Sequence, residues 1–109
     1  FVNHPCTIWI RKSIGNYIWI YIFFRQLCKE YTYRYNKIHS CETRFMNIFN
    51  RIPELIPSGN ITVFAQAMFD DVKHKNPIIG YRQYYIKYKK DFCVWSKRKA
   101  PYWFKKDLY

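Results

Sequence analysis

Residues 17–24 read YIWIYIFF: eight large apolar or aromatic side chains in a row, with no charge among them. Such a run suits a membrane span, a strand, or a helix covered on every side. Length removes the first. Only 12 uncharged residues separate Lys12 from Arg25, whereas a helix needs about 20 to cross a bilayer. The strand reading fits the β-branched and aromatic content, but strands are bounded by turn residues. Here the flanks are charged or polar, with no proline and a single glycine, Gly15. A long helix is therefore expected, and because its middle is apolar on all faces it should be buried all round.

Asn3-His4-Pro5 reads as the start of that helix. Asn3 is the expected cap, and Pro5 is tolerated in the first turn because its missing N–H has no intrahelical partner there. No further proline occurs before Pro53, and the helix is expected to run to about Tyr35. Asn36 to His39 is polar and should end it. Ser40 is then the expected cap of a short second helix to about Asn50, with Phe45, Met46, Ile48 and Phe49 facing inward. RIPELIPSGNIT, residues 51–62, carries Pro53, Pro57 and Gly59 and reads as an irregular connector. Residues 63–76 give no clear period. Asp70, Asp71 and His74 form the one acidic cluster there, best read as a solvated turn.

Downstream, Tyr81, Tyr84, Tyr85, Tyr88, Phe92 and Trp95 recur at helical spacing. Such a stripe usually faces a core. A buried tyrosine hydroxyl must find a partner, however, so four tyrosines place this stripe partly at a wet boundary. The expected fold is mainly α: a compact single-domain helical chain, 1–109, with a long buried first helix, a basic aromatic-striped closing helix and an aromatic tail.

Composition narrows the function. Half of the 109 residues are hydrophobic and 22% are aromatic, which excludes a disordered chain. The net charge is +12, and it is concentrated. Residues 1–71 hold 8 Lys/Arg against 5 Asp/Glu (+3), and residues 72–109 hold 11 against 2 (+9). A basic excess gathered into one third of a small chain points to a polyanion, nucleic acid first, because phosphate binding rests on clustered Lys and Arg. The competing reading is a solvated face that keeps the chain soluble. Cys6, Cys28, Cys41 and Cys93 include no C-x-x-C pair and no secreted disulfide framework, so free thiols in a reducing compartment are expected. His39 and Cys41 match no zinc spacing, and neither a metal nor another cofactor is called for. The sequon at Asn60 has no secretory signal beside it.

The tail, SKRKAPYWFKKDLY, carries the sharpest chemistry. Lys97, Arg98 and Lys99 precede Pro101; Tyr102, Trp103 and Phe104 follow; Lys105 and Lys106 close the block. Cations hold phosphates while flat rings stack on exposed bases, and Pro101 should turn the segment out of the helix. Alternatively, the tail packs its rings back on the core. Composition does not separate the two.

NHPCTIWIRKSIGNYIWIYIFFRQLCKEYTYRYNKIH, followed by YRQYYIKYKKDFCVWSKRKAPYWF, resembles viral and phage proteins related to pyrimidine dimer DNA glycosylases. The similarity lies in the order of three parts. His4 stands at the start of a long helix, a basic helix runs around Tyr81 to Trp95, and Pro101-Tyr102-Trp103-Phe104 closes the block. The resemblance implies a compact helical fold that grips and kinks damaged duplex, with His4 near the DNA at the helix start. In that family an N-terminal α-amine attacks the sugar C1′ to form an imine, a glutamate on the first helix assists, and the strand then breaks by β-elimination. Both groups lie before the NHP segment, and Glu30, Glu42 and Glu54 occupy none of the matching positions. The resemblance thus implies the C-terminal two thirds of such a fold, not catalytic as it stands, with an N-terminal segment or protein partner covering Tyr17 to Phe24.

Two functions follow. The first is a repair-glycosylase-like DNA-binding domain in which Lys97, Arg98, Lys99, Lys105 and Lys106 hold phosphates while Tyr102, Trp103 and Phe104 stack. The second is a non-enzymatic nucleic-acid-binding subunit of a viral or ribonucleoprotein assembly. Either places the chain inside a cell or virion, not in the secreted pool. An unrelated hydrolase finds no support: the chain has no nucleophile elbow, phosphate-cradling glycine loop or metal-spaced His/Glu set.

Overall fold

The computed structural model describes residues 1–104. Its secondary structure is helical, and no strand occurs among the described residues. These residues gather into two compact units, Phe1–Thr62 and a second beginning at Val63.

The first unit holds α1 (Pro5–Ile10), α2 (Ile14–Tyr35) and α3 (Ser40–Phe49). The expected single helix from Pro5 to Tyr35 is in fact two. Ser13 breaks it: its backbone is extended, and its hydroxyl accepts the Asn16 N–H at 3.1 Å while donating to the Asn60 carbonyl at 2.9 Å. Asn16 makes the break permanent. Its side chain is fully buried, and its amide nitrogen donates to the Trp9 carbonyl near the end of α1 (2.7 Å) and to Thr62 Oγ1 (2.8 Å). Its amide oxygen accepts the Thr62 N–H at 2.8 Å. One side chain thus satisfies an end-of-helix carbonyl and ties down the far end of the connector.

The connector also supplies partners for the first amides of α2. Ile14 N–H donates to the Pro57 carbonyl and Gly15 N–H to the Gly59 carbonyl, both at 2.9 Å. Gly15 is required by this approach, since a Cβ there would lie 2.5 Å from the Ile61 nitrogen and 2.6 Å from the Asn60 carbonyl carbon.

Tyr17 roots α2 in the core. Its ring is buried, and its hydroxyl lies 2.7 Å from the Phe49 carbonyl oxygen and 3.0 Å from that of Arg51. Phe24 packs on Phe49 from the next turns, with ring centroids 5.2 Å apart. Burial all round is not found, however. Ile18, Ile22, Phe23 and Leu27 are exposed, with Ile22 at 52%. The packing of α1, α3 and the connector against α2 leaves these apolar side chains in solvent. The helix ends at Asn36 in the left-handed conformation (φ 58°), its N–H bonded to the Thr32 carbonyl.

The caps differ from expectation too. His4, not Asn3, caps α1, and His39, not Ser40, caps α3. In α3, Phe45, Met46 and Phe49 are half-buried, whereas Ile48 points outward.

The second unit is built on α4 (Pro77–Tyr88), flanked by 3₁₀ turns at Asp70–Val72 and Lys90–Phe92. Asn76 caps α4 by accepting the Ile78 N–H at 3.0 Å, and Pro77 follows in the first turn. Val72 and Ile86 are buried. Tyr81 donates its hydroxyl to the Ala65 carbonyl at 2.6 Å, the partner a half-buried tyrosine needs. Tyr84 is half-buried, whereas Tyr85 and Tyr88 reach solvent. The helix stops at Tyr88, short of the expected Trp95, and Phe92 is 78% exposed. The aromatic spacing thus continues beyond the end of the helix. No helix among the described residues is long and apolar enough to cross a membrane.

Candidate nucleic-acid interface

After the 3₁₀ turn at Lys90–Phe92 the chain makes two reverse turns. Arg98 N–H bonds to the Trp95 carbonyl and Phe104 N–H to the Pro101 carbonyl, both at 3.0 Å. Lys97 sits in the first turn at φ 60°, a left-handed position that usually favours glycine. The turn leaves Lys97, Arg98 and Lys99 all exposed at its outer edge.

The second turn separates the three tail rings by role. Tyr102 is 82% exposed. Phe104 is buried at 9%, edge-on to Trp95 with centroids 5.2 Å apart, so it anchors the tail and presents no face for stacking. The sequence-based stacking role for Phe104 is corrected on that ground. Trp103 lies between these extremes: half-buried, edge-on to Phe104 at 6.0 Å.

Arg82 joins them to α4. Its guanidinium carbon lies 5.5 Å from the Trp103 ring centroid and 5.6 Å from that of Tyr102, and its Nη1 donates to the Tyr102 hydroxyl at 3.3 Å. A cation against an aromatic face is held by the ring quadrupole. Lys89 repeats the pattern, its ammonium 5.7 Å from the centroid of exposed Phe92 and 5.6 Å from that of Tyr84. Exposed rings of the second unit with a cation beside them thus include Tyr102, Phe92 and Tyr88, the last with the Lys87 ammonium 5.4 Å from its centroid. Sequence reasoning missed both Arg82 and Phe92 as site residues. Arg82 shows only as a residue off the stripe, and nothing in the spacing joins it to Tyr102, 20 positions on.

The acidic cluster splits. Asp71 binds α4: Lys87 Nζ and the Tyr88 hydroxyl both donate to its Oδ2 at 2.5 Å. The Lys87 hydrogen bond, then that of Tyr88, hold the Asp71 carboxyl below its ordinary range, and Asp71 in turn raises both partners. Asp70 pairs with Lys73 at 3.0 Å. His74 is fixed by its backbone, its carbonyl accepting from Gln66 Nε2 at 2.6 Å and its N–H donating to Gln66 Oε1 at 3.0 Å. Asp71 thus holds α4, while Asp70 and His74 bond to residues outside that helix.

His4 lies in the first unit, exposed, with Nδ1 committed to the α1 cap. Lys105 and Lys106 lie outside the described residues. In the first unit the Cys28 thiol is buried, and desolvation, then the neighbouring Glu42, push it above its usual value. It is a packed core thiol, unlike the exposed, electropositive setting that activates one. Set against family models, curated proteins and solved structures, the chain matches none of them.

Proposed function

We propose that the chain binds DNA through its second unit, recognising damaged or distorted duplex in the manner of a repair glycosylase. The observation that carries this reading is Tyr102: an exposed ring, braced from behind by Arg82 and set one short segment after three exposed cations. Lys97, Arg98 and Lys99 meet phosphates, a sequence-blind and salt-dependent contribution. Tyr102 stacks on a base whose pairing is already weakened, where exposing the base costs least. Trp103 and Arg82 hold Tyr102 in place. The resemblance to pyrimidine dimer glycosylases supplies the choice of damaged duplex over other polyanions.

The test is affinity for UV-irradiated against unirradiated duplex at one fixed, moderate salt concentration. Tighter binding to the irradiated DNA supports damage recognition, and equal binding overturns it.

A second reading, a nucleic-acid-binding subunit of a larger assembly, draws on the exposed apolar face of α2 at Ile18, Ile22, Phe23 and Leu27. A neighbouring subunit would cover that face. Equal, salt-sensitive binding to both DNAs is what this reading expects.

A further inference from the structure

The chain has three histidines, His4, His39 and His74, and all three do the same unusual thing. Each uses Nδ1 to accept the backbone N–H two residues ahead: Cys6 at 3.1 Å, Cys41 at 3.0 Å and Asn76 at 2.9 Å. His4 and His39 are the N-caps of α1 and α3, a place usually held by Ser, Thr, Asp or Asn. His74 acts one step earlier, orienting Asn76, which caps α4. The remaining helix, α2, is capped by Ser13 instead.

An imidazole can accept at Nδ1 only when neutral, with its hydrogen on Nε2. Protonation places a hydrogen on Nδ1, so a donor then faces a donor and the amide loses its partner. A cation at a helix N-terminus also opposes the helix dipole. Both effects act in the same direction at all three sites. We infer that the three histidines form a pH-sensitive set of helix caps that loosens the starts of α1, α3 and α4 as imidazoles protonate, leaving α2 unaffected.

The surrounding charges do little to offset this. Beside His4, whose N–H is accepted by the Phe1 carbonyl, Arg11 donates to the Val2 carbonyl at 2.6 Å and carries a positive charge. His74 is flanked in sequence by Lys73 and Lys75, with Lys73 paired to Asp70, and the first turn of α4 has no acidic residue. His39 is the exception. The edge of Tyr31 from α2 meets its ring at 4.7 Å, Tyr35 packs on Tyr31, and Lys37 precedes it. Cys41 and Glu42 lie in the first turn of α3, and Glu42 is the one acidic residue in the first turns of these three helices.

The experiment is amide hydrogen exchange of the whole chain, read by NMR from pH 7.5 to 5.5 and corrected for intrinsic rates. Protection at Cys6, Cys41 and Asn76 should fall roughly five-fold or more, the worth of one cap, as the pH is lowered across this range. Protection at Asn16, whose N–H is held by the Ser13 hydroxyl, should not change. His39→Asn keeps an acceptor that does not titrate, so it should remove the response at Cys41 and leave those at Cys6 and Asn76. Unchanged protection at the three amides, or an equal loss at Asn16, would overturn the inference.

Discussion

Arg82 and Tyr102 hold each other twice. The guanidinium donates to the phenol oxygen at 3.3 Å and also lies 5.6 Å from the centroid of the same ring. The most exposed ring of the tail is thereby tied to α4. A ring ordered before binding loses less entropy when a base stacks on it, and that is the physical content of the proposed recognition.

Asn16→Ala should destabilise the chain by about 2–4 kcal/mol. The substitution removes three hydrogen bonds of a fully buried side chain and leaves the Trp9 carbonyl and the Thr62 N–H without it. Urea unfolding followed by circular dichroism measures this. A loss below about 1 kcal/mol would mean that the connector is not held to α2 through this residue.

Gly15→Ala tests the same junction with the opposite propensity. Alanine favours an exposed helix by about 1 kcal/mol over glycine, yet here its Cβ would strike the backbone of Asn60 and Ile61. The clash should win, with a net loss of about 1–3 kcal/mol. A raised melting temperature would show that the connector does not lie against α2.

This junction also marks how far the sequence could be read. The helical class, the irregular connector at 51–62 and the partly wet tyrosine stripe follow from period, proline content and the demands of a phenol. The break at Ser13 does not, because its cause is a contact between Asn16 and Thr62, 46 positions apart. Helical period likewise cannot end α4 at Tyr88, since the aromatic spacing runs on to an exposed Phe92. Histidine caps were missed for a related reason: imidazole is a poor statistical cap, and only the geometry shows Nδ1 in use. In the candidate site the basic turn was legible from composition. The division of the tail rings into Tyr102 outside and Phe104 inside was not, because it depends on where Trp95 sits.

Tyr17→Phe should cost about 1–2 kcal/mol at neutral pH, since the buried ring remains while its hydroxyl contacts to Phe49 and Arg51 are lost. The difference should also depend on pH. Burial, then the nearby Tyr21, raise the Tyr17 phenol above its ordinary value of 10.0. The unfolded phenol therefore ionises first. Its contribution is complete below about pH 10 and fades as pH rises through the raised folded value. Urea midpoints of the two proteins should converge above pH 10; a constant gap would contradict the assignment.

Asp71→Asn should tighten binding to any polyanion. It raises the net charge from +12 to +13 and removes the carboxylate that pairs with Lys87. The slope of log K against log salt should steepen by up to about 0.9, one phosphate contact. Stability should change as well. The Asp71 carboxyl titrates below its ordinary 3.8 when folded, so its contribution is present above that value and lost as pH falls through the lowered one. The variant should lack this part of the acid limb. Unchanged salt dependence in a binding titration would show that Lys87 takes no part.

The most direct measurement compares wild type, Tyr102→Ala and Lys99→Ala on UV-irradiated and intact duplex at one fixed salt concentration. Stacking contributes about 1–3 kcal/mol per base. Tyr102→Ala should therefore reduce affinity for irradiated DNA at least five-fold while leaving intact duplex nearly unchanged. Lys99→Ala should weaken both alike. Equal losses from Tyr102→Ala on the two DNAs, or no preference in the wild type, would contradict recognition of distorted DNA by this ring.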